Sequence, residues 1–429
     1  MPYDEDPKPT PEEGSDGKEE ESFSFLQETI KPKPVTRKKI LTQLVRVGIY
    51  GLIFGVFACL SFFALKPWAQ NKFQGSSKTV TIPEDEATDN SQEEQEPEVE
   101  QAAPELNADS YQDIMQSMYD IAQEAAKSVV SVENAKEGAD WTSGADGAQT
   151  GTAGLIVADN GQELLIVSNN SICEGTDSWR VLFADDSKYA AALKKQDKNC
   201  GLAVFSIRRT DITESTWNAI KVAVLGNSNV SGKGDMTIAL GNVFGYEDGA
   251  GYGIISSGGY EDAFPDIHYK VLTTDITASD NGTGILFNMS GEAIGLISPS
   301  INKVSGSSTA NALAISSLKA TLELMVNGQS VPYVGIYGAT ITDTVAEQQN
   351  MPTGVYVTQI KADSPAMAAG IQSGDILQEV DGTKISTRMA YEKEVQNSKT
   401  GDNIKIKGKR RGANGYVDID FTVTVGSQE

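Results

Sequence analysis

The chain has 429 residues, which is enough for two or three domains, and its formal net charge is -24. Such an acidic surface repels nucleic acid, so we expect no nucleic-acid partner. The sequence contains a single histidine, His268, and no CxxC pair. A catalytic zinc held by two histidines, a zinc ribbon and a thioredoxin-type site are therefore excluded, and we expect neither a metal nor a cofactor.

The N-terminal part of the chain predicts one membrane-spanning helix. Residues 1–45 form a tail that is acidic and rich in Pro, Gly and Ser before a basic stretch, and we expect it to be disordered. Residues 46–67 contain an uncharged apolar run whose length matches the roughly 30 Å hydrocarbon core of a bilayer. Because the basic residues precede the run, the positive-inside rule places the tail in the cytoplasm and the later domains outside it. A cleaved signal peptide is the alternative, but the preceding region is longer than a signal n-region and no A-x-A site follows.

Residues 68–109 are predicted to form an acidic linker outside the cytoplasm, which repulsion between like charges keeps extended. One face of a helix predicted over residues 111–127 carries four apolar side chains: Ile114, Met118, Ile121 and Ala125. Short apolar runs then alternate with Gly, Asn and Asp, among them AGLIVA, ELLIVS, GLAVFSI and MTIALG. This spacing predicts a β-barrel or a β-sandwich, closed by a helix near residues 314–327.

Five segments of this region are similar, in order and spacing, to segments of the HtrA/Deg family of trypsin-like serine proteases. They are KSVVSVE, GTAGLIVADNGQELLIVSNN, GLAVFSI, AVLGNSNVSGKGDMTIALGNVFG and TTDITASDNGTGILFNMSGEAIGLI. The resemblance implies a mainly β fold, with a trypsin-like double β-barrel over residues 110–328. HtrA proteases usually form trimers through contacts near the start of this domain, so it also implies a homotrimer.

The resemblance assigns the three positions of the catalytic triad, and each of them is substituted. The family's histidine follows an Asn-Asn pair, which Ser171 follows here, and the family's aspartate opens D-L-A-V, where Gly201 stands here. The family's serine lies in G-N-S-G-G-P, but this chain reads DNGTGI, so Gly282 or Thr283 replaces it, depending on the flank that is aligned. A serine protease needs all three side chains, so no catalytic residue is retained and we expect no peptidase turnover.

Two cysteines lie beside these substituted positions. Cys173 is two residues after the former histidine position, and Cys200 is one residue before the former aspartate position. The two positions are neighbours in the trypsin fold that the resemblance implies. A Cys173–Cys200 disulfide is one expectation, since the compartment outside the cytoplasm permits it. Two buried free thiols are the alternative.

Residues 331–427 resemble a PDZ domain of the bacterial type that is joined to HtrA proteases, which is an α+β fold. Ser364 and Pro365 are typical of the first residues of a helix, as N-cap and first helical residue. Asp381 and Gly382 are typical of a two-residue hairpin turn. The local signals therefore agree with the domain that the resemblance implies.

The peptide-binding site that this resemblance implies is the loop Tyr333, Val334, Gly335 and Ile336, flanked by a helix over residues 387–396. PDZ domains add an extended peptide to a sheet edge, and backbone N–H groups bind its terminal carboxylate. Gly335 lets these N–H groups turn toward the anion, while Val334 and Ile336 line the apolar pocket. A loop that only packs on the sheet is the alternative.

Three hypotheses about function follow. The first is a membrane-anchored, extracytoplasmic pseudoprotease whose partners are polypeptide C-termini or unfolded protein, in envelope protein quality control or scaffolding. The second is an active serine-type endopeptidase of the HtrA/Deg type, with Thr283 as an atypical nucleophile that would need a base within about 3 Å. The third is a structural membrane protein. The substituted triad favours the first.

Overall fold

The computed structural model describes four stretches of the chain: residues 77–85, 108–135, 151–301 and 308–429. The tail, residues 1–45, and the membrane helix predicted over residues 46–67 lie outside these stretches. Within the four stretches, no helix combines the length and the apolar character that crossing a bilayer requires.

Six antiparallel strands close into a first barrel with the order β1-β2-β3-β6-β5-β4. Their bounds are β1 (Val129–Asn134), β2 (Thr152–Asp159), β3 (Glu163–Asn169), β4 (Trp179–Leu182), β5 (Lys188–Asp197) and β6 (Leu202–Arg208). Alternate side chains of a strand face opposite sides. Ile156, Ile166 and Phe205 therefore fill the barrel, whereas Leu155 and Val167 belong to a second core outside it.

A second barrel follows with the strand order β10-β11-β12-β9-β8-β7. Its strands are β7 (Met236–Gly241), β8 (Gly249–Phe264), β9 (Ile267–Thr277), β10 (Gly284–Phe287), β11 (Ala293–Ile297) and β12 (Thr309–Ala314). Ile238, Ile285 and Leu296 of this barrel share one core with Leu155 and Val167 of the first. The predicted mainly β double barrel is therefore confirmed, with apolar side chains buried between the barrels as well as inside them.

The helices α1 (Ala108–Ala126), α2 (Glu214–Ala219) and α3 (Ile315–Val326) lie on or between these strands. In α1, Met118 and Ala125 are buried and Ile121 is partly buried, in agreement with the predicted apolar face. Ile114 is exposed instead. The buried residues of α1 all belong to its C-terminal half, so the first turns of the helix have no core to cover Ile114.

Residues 77–85 fall in the predicted linker, but they pack on α3 rather than extending into solvent. Ile82 is buried, and its N–H donates to Glu323 Oε2 at 2.9 Å. Asp85 forms a buried ion pair with Lys319, with 2.6 Å between Oδ1 and Nζ. Repulsion between acidic residues does not extend this segment, because α3 supplies the opposite charge.

The C-terminal domain is a five-strand path, β13-β14-β15-β17-β18, with β16 paired to β15. Its elements are β13 (Ile336–Ile341), α4 (Asp343–Gln349), β14 (Gly354–Ile360), α5 (Pro365–Ala368), β15 (Ile376–Val380), β16 (Thr383–Lys384), α6 (Arg388–Asn397), β17 (Asn403–Gly412) and β18 (Gly415–Thr424). The Ser364 side chain caps α5 by accepting from the Met367 N–H at 3.2 Å, as its position before Pro365 predicts. Because β13 ends the strand order, one of its edges is free of strand pairing within this sheet.

Candidate functional site

Ser171 lies in a short 3-10 helix, Asn170–Cys173, at the end of β3. Asn169 begins this helix, because its side-chain oxygen accepts from the Ser171 N–H at 3.0 Å. The same Asn169 side chain donates to Ser298 Oγ of the second barrel at 3.3 Å. The Ser171 side chain is exposed, and it presents a hydroxyl rather than an imidazole at the position that the family resemblance assigns to the histidine.

Gly201 lies immediately before β6 and beside the first position. The Gly201 carbonyl accepts from the Asn170 N–H at 2.9 Å, so these two triad-equivalent positions are brought together. Gly201 has a φ of 73°, which favours glycine. The position therefore has no carboxylate that could orient a base.

Gly282 and Thr283 precede β10, and neither resembles an activated nucleophile. Thr283 is 2% exposed, and its Oγ1 accepts from the Ala153 N–H at 2.9 Å. Gly282 has no side chain, and a Cβ at this position would collide with the Val243 carbonyl oxygen. A serine therefore does not fit at Gly282, and the hydroxyl at Thr283 is a buried structural acceptor.

The backbone N–H of each candidate nucleophile position is engaged within the chain. An oxyanion hole needs N–H groups that are free to donate to the developing oxyanion. Here the Gly282 N–H donates to the Ser279 carbonyl at 2.9 Å, and the Thr283 N–H donates to the Asn242 carbonyl at 3.0 Å. The cavity between the barrels measures about 10 Å³, which is room for about one water molecule.

His268 lies on β9, and its ring is directed toward the C-terminal domain. Its Nδ1 is 2.8 Å from Glu392 Oε1 of α6, and its side chain is 13% exposed. The structure therefore does not bring His268 to Thr283, whose hydroxyl is bonded to Ala153. Among the described residues, no group of three His, Cys, Asp or Glu side chains could hold a metal ion.

In the structure Cys173 and Cys200 are free thiols, with Cys200 buried and Cys173 partly buried. Cys200 is buried in the core between the barrels, whereas Cys173 packs against the core inside the first barrel. The two side chains thus enter different apolar clusters. Burial raises the pKa of the Cys173 thiol to about 11, and burial together with Asp197 raises the pKa of Cys200 well above its ordinary value.

The loop Tyr333–Ile336, hereafter the carboxylate loop, holds an anion that belongs to this chain. The N–H groups of Val334, Gly335 and Ile336 donate to the Asp266 carboxylate at 2.7, 2.6 and 3.0 Å. Gly335 has a φ of 96°, and a Cβ there would collide with Ser364. Gly335 thus gives the loop the backbone turn that aims three N–H groups at one place.

Asp266 was not identified from the sequence as a functional residue. It follows Pro265 in the two-residue turn between β8 and β9, with a φ of 64°. The Tyr391 hydroxyl donates to it at 2.6 Å. Burial raises the pKa of the Asp266 carboxyl, and the hydrogen bonds from Tyr391 and the carboxylate loop act in the opposite direction. The Pro-Asp pair between two strand-like runs is a turn signal, but it does not reveal where the carboxylate lies.

Comparisons with known proteins agree with this architecture. A PDZ domain model matches residues 332–421. A putative serine protease HhoA from Synechocystis sp. is 30% identical over 278 residues, which cover 60% of this chain and 68% of HhoA. The periplasmic serine endoprotease DegP of Escherichia coli (strain K12) is 27% identical over 281 residues, 63% of this chain and 56% of DegP. The chain thus spans little more than half the length of DegP.

Solved structures agree on the fold. The HtrA-type protease AlgW, solved with a tripeptide, superposes with a TM-score of 0.50 at 22% identity, over 72% of this chain and 97% of AlgW. At this identity the likeness concerns the fold alone.

Proposed function

The chain belongs to the HtrA family of trypsin-like proteases that carry a PDZ domain, and on this premise we propose that it is a membrane-anchored, extracytoplasmic pseudoprotease. It binds polypeptide C-termini or unfolded protein through its PDZ domain, in envelope protein quality control or scaffolding. The N–H groups of Gly282 and Thr283 both donate to backbone carbonyls, and this arrangement carries the proposal.

Acyl transfer needs a base for the attacking hydroxyl and N–H donors for the intermediate, and we infer that this chain supplies neither in full. Attack on a peptide carbonyl needs a hydroxyl next to a base, and His268 is bonded to Glu392 on another domain. The intermediate needs N–H donors, and those of Gly282 and Thr283 are engaged. Without a triad, even a formed oxyanion hole with bound substrate leaves only about 10³–10⁴-fold acceleration over water.

Peptide binding is supported by the chemistry of the carboxylate loop. Three N–H groups within hydrogen-bond distance of one carboxylate form a site for a single anionic group. The free edge of β13 follows this loop directly, so an extended peptide could add to the sheet while its terminal carboxylate lies in the loop.

The anchor and the assembly are further parts of the proposal. Residues 46–67 would cross the membrane and residues 1–45 would stay in the cytoplasm. The linker, residues 68–109, then leads to the protease-like domain, residues 110–328, and to the PDZ domain, residues 331–427. The named periplasmic location of DegP supports an extracytoplasmic location for these domains. A homotrimer would form near α1, as the family resemblance implies.

The full chain in detergent micelles, mixed with fluorescein-labelled unfolded casein, tests the proposal. We expect anisotropy to rise while no fragments appear, with DegP as the cleaving control. Cleavage that disappears in Thr283→Ala would instead establish the endopeptidase. If the chain neither binds nor cleaves casein, and also fails to bind peptides with free carboxylates, the result favours the structural membrane protein.

A further inference from the structure

The position of Asp266 bears directly on how the PDZ domain is regulated. We propose that the β8–β9 hairpin is an internal ligand of the PDZ domain, with the Asp266 carboxylate in the place of a peptide's terminal carboxylate. The groove accepts a polypeptide C-terminus only when the hairpin leaves. This inference rests on the proposed peptide-binding function and names the regulation of that site.

The first support is the number and kind of hydrogen bonds that Asp266 makes. Its Oδ2 accepts from the N–H groups of Val334 and Gly335, and its Oδ1 accepts from the N–H of Ile336 and from the Tyr391 hydroxyl. All four distances lie between 2.6 and 3.0 Å. Both oxygens of the carboxylate are thus used, and every N–H from Val334 to Ile336 is occupied.

The second support is a hydrogen bond along the strand edge. The Asp266 N–H donates to the Ile336 carbonyl at 2.8 Å. Ile336 is the first residue of β13, the edge strand of the sheet. A peptide that extends the sheet would make a bond of this kind from its own backbone. Asp266 therefore supplies both contacts that a terminal residue brings, the carboxylate and the backbone N–H.

The third support is that the hairpin also contacts α6, the helix beside the groove. Arg388 Nη2 is 2.9 Å from Glu261 Oε2 on β8, and Glu392 Oε1 is 2.8 Å from His268 Nδ1 on β9. With Tyr391 bonded to Asp266, three residues of α6 bind three residues of the hairpin. The hairpin thus contacts both sides of the groove, β13 and α6.

The backbone of the turn accommodates the aspartate. Asp266 adopts a φ of 64°, a region that Asp tolerates better than most residues. A carboxylate at this position faces the carboxylate loop, whereas glycine would leave the three N–H groups without an acceptor.

The proposal predicts competition between the hairpin and peptide. The apparent dissociation constant of a peptide equals its intrinsic value divided by the fraction of open molecules. We call a molecule closed when the hairpin occupies the groove and open when it does not. With about ten closed molecules for each open one, removal of the Asp266 carboxylate lowers the apparent dissociation constant of the peptide about tenfold.

The test uses the full chain in detergent and a pool of fluorescein-labelled hexapeptides with free carboxylates, whose last three residues are drawn from Ala, Val, Leu and Phe. We compare wild type, Asp266→Ala and Asp266→Asn, the second of which keeps the side-chain size and tolerates the left-handed turn. Asp262→Asn, on the same hairpin, is the control for a changed charge. Peptides with amidated C-termini control for the need for a carboxylate.

We expect both Asp266 variants to bind the free-carboxylate pool at least about tenfold more tightly than wild type and the Asp262 control. We also expect faster amide exchange at Val334, Gly335 and Ile336 in these variants, which a general loss of stability would not confine to the loop. Equal binding by wild type and both Asp266 variants refutes the internal ligand and leaves the peptide-binding function intact. No binding by any protein refutes the peptide-binding function, and the internal ligand with it.

Discussion

Restoring the side chains of the triad is expected to leave the turnover of this chain far below that of an active HtrA-type endoprotease. The triple variant Ser171→His, Gly201→Asp and Thr283→Ser supplies a base, an orienting carboxylate and a nucleophile at the positions that the family resemblance assigns. It does not change the backbone N–H groups around Thr283, which donate to the Ser279 and Asn242 carbonyls. The oxyanion of a tetrahedral intermediate would then lack the donor that the nucleophile residue itself supplies.

The size of the defect follows from those donors. Removal of one oxyanion-hole donor lowers the kcat of a serine protease by about 10²–10³. The N–H of the nucleophile position is engaged in either alignment, so the kcat of the triple variant should lie at least about 10²–10³-fold below that of an active HtrA-type endoprotease. That factor corresponds to about 2.7–4 kcal/mol of transition-state stabilisation.

A fluorogenic casein assay measures this difference, with DegP as the active standard and circular dichroism as the check that the variant folds. A second variant with serine at Gly282 covers the other alignment, and it should be both inactive and less stable because its Cβ meets the Val243 carbonyl. Turnover by either variant within about tenfold of DegP would show that the loop rearranges to free this donor, and it would refute the reasoning.

Three further predictions concern stability and thiol chemistry. Gly335→Ala should lower the free energy of unfolding by more than about 2 kcal/mol, because the φ of Gly335 is positive and Ser364 occupies the space of a Cβ. Gly412→Ala is the control, because this position has room for a Cβ, and it should leave the melting temperature unchanged. Tyr391→Phe should lower the free energy of unfolding, measured with denaturant, by about 1.5–3 kcal/mol, because it removes the hydrogen bond to the buried Asp266 carboxylate. A loss of less than about 0.5 kcal/mol would contradict that hydrogen bond. Cys173 should react with an aromatic disulfide reagent at pH 8 far more slowly than a free thiol, because its pKa is about 11, and it should react fully in guanidinium without prior reduction. Failure to react in guanidinium would mean that it is oxidised.

The strands of both barrels could be predicted from the sequence because their signals are local. AGLIVA and ELLIVS are apolar runs separated by a turn, and they become β2 and β3 with both faces buried. The cap at Ser364 is equally local, since it depends on a side chain and an N–H three residues later. Ile114 shows what local spacing does not determine. It lies in the predicted helix, but its side chain is exposed because the buried part of α1 begins only at Met118.

The family resemblance implied that Ser171 and Gly201 lie close together, as the hydrogen bond between Asn170 and Gly201 shows. The sequence did not decide whether the two cysteines form a disulfide. Sequence positions show that Cys173 and Cys200 are near these residues, but side-chain direction decides whether two thiols meet. Their side chains enter different cores, and only the packed structure fixes that choice.

The sequence by itself determined the strand-rich pattern and many of the turns, because these depend on periodicity and turn residues. The family resemblance implied the two barrels, the PDZ fold and the substituted triad positions. The tertiary structure decided the rest. Asp266 reaches N–H groups 68 to 70 residues away, and Thr283 accepts from an N–H 130 residues away. Hydrogen bonds over such separations depend on how the two barrels and the PDZ domain pack together, and no local pattern in the chain specifies them.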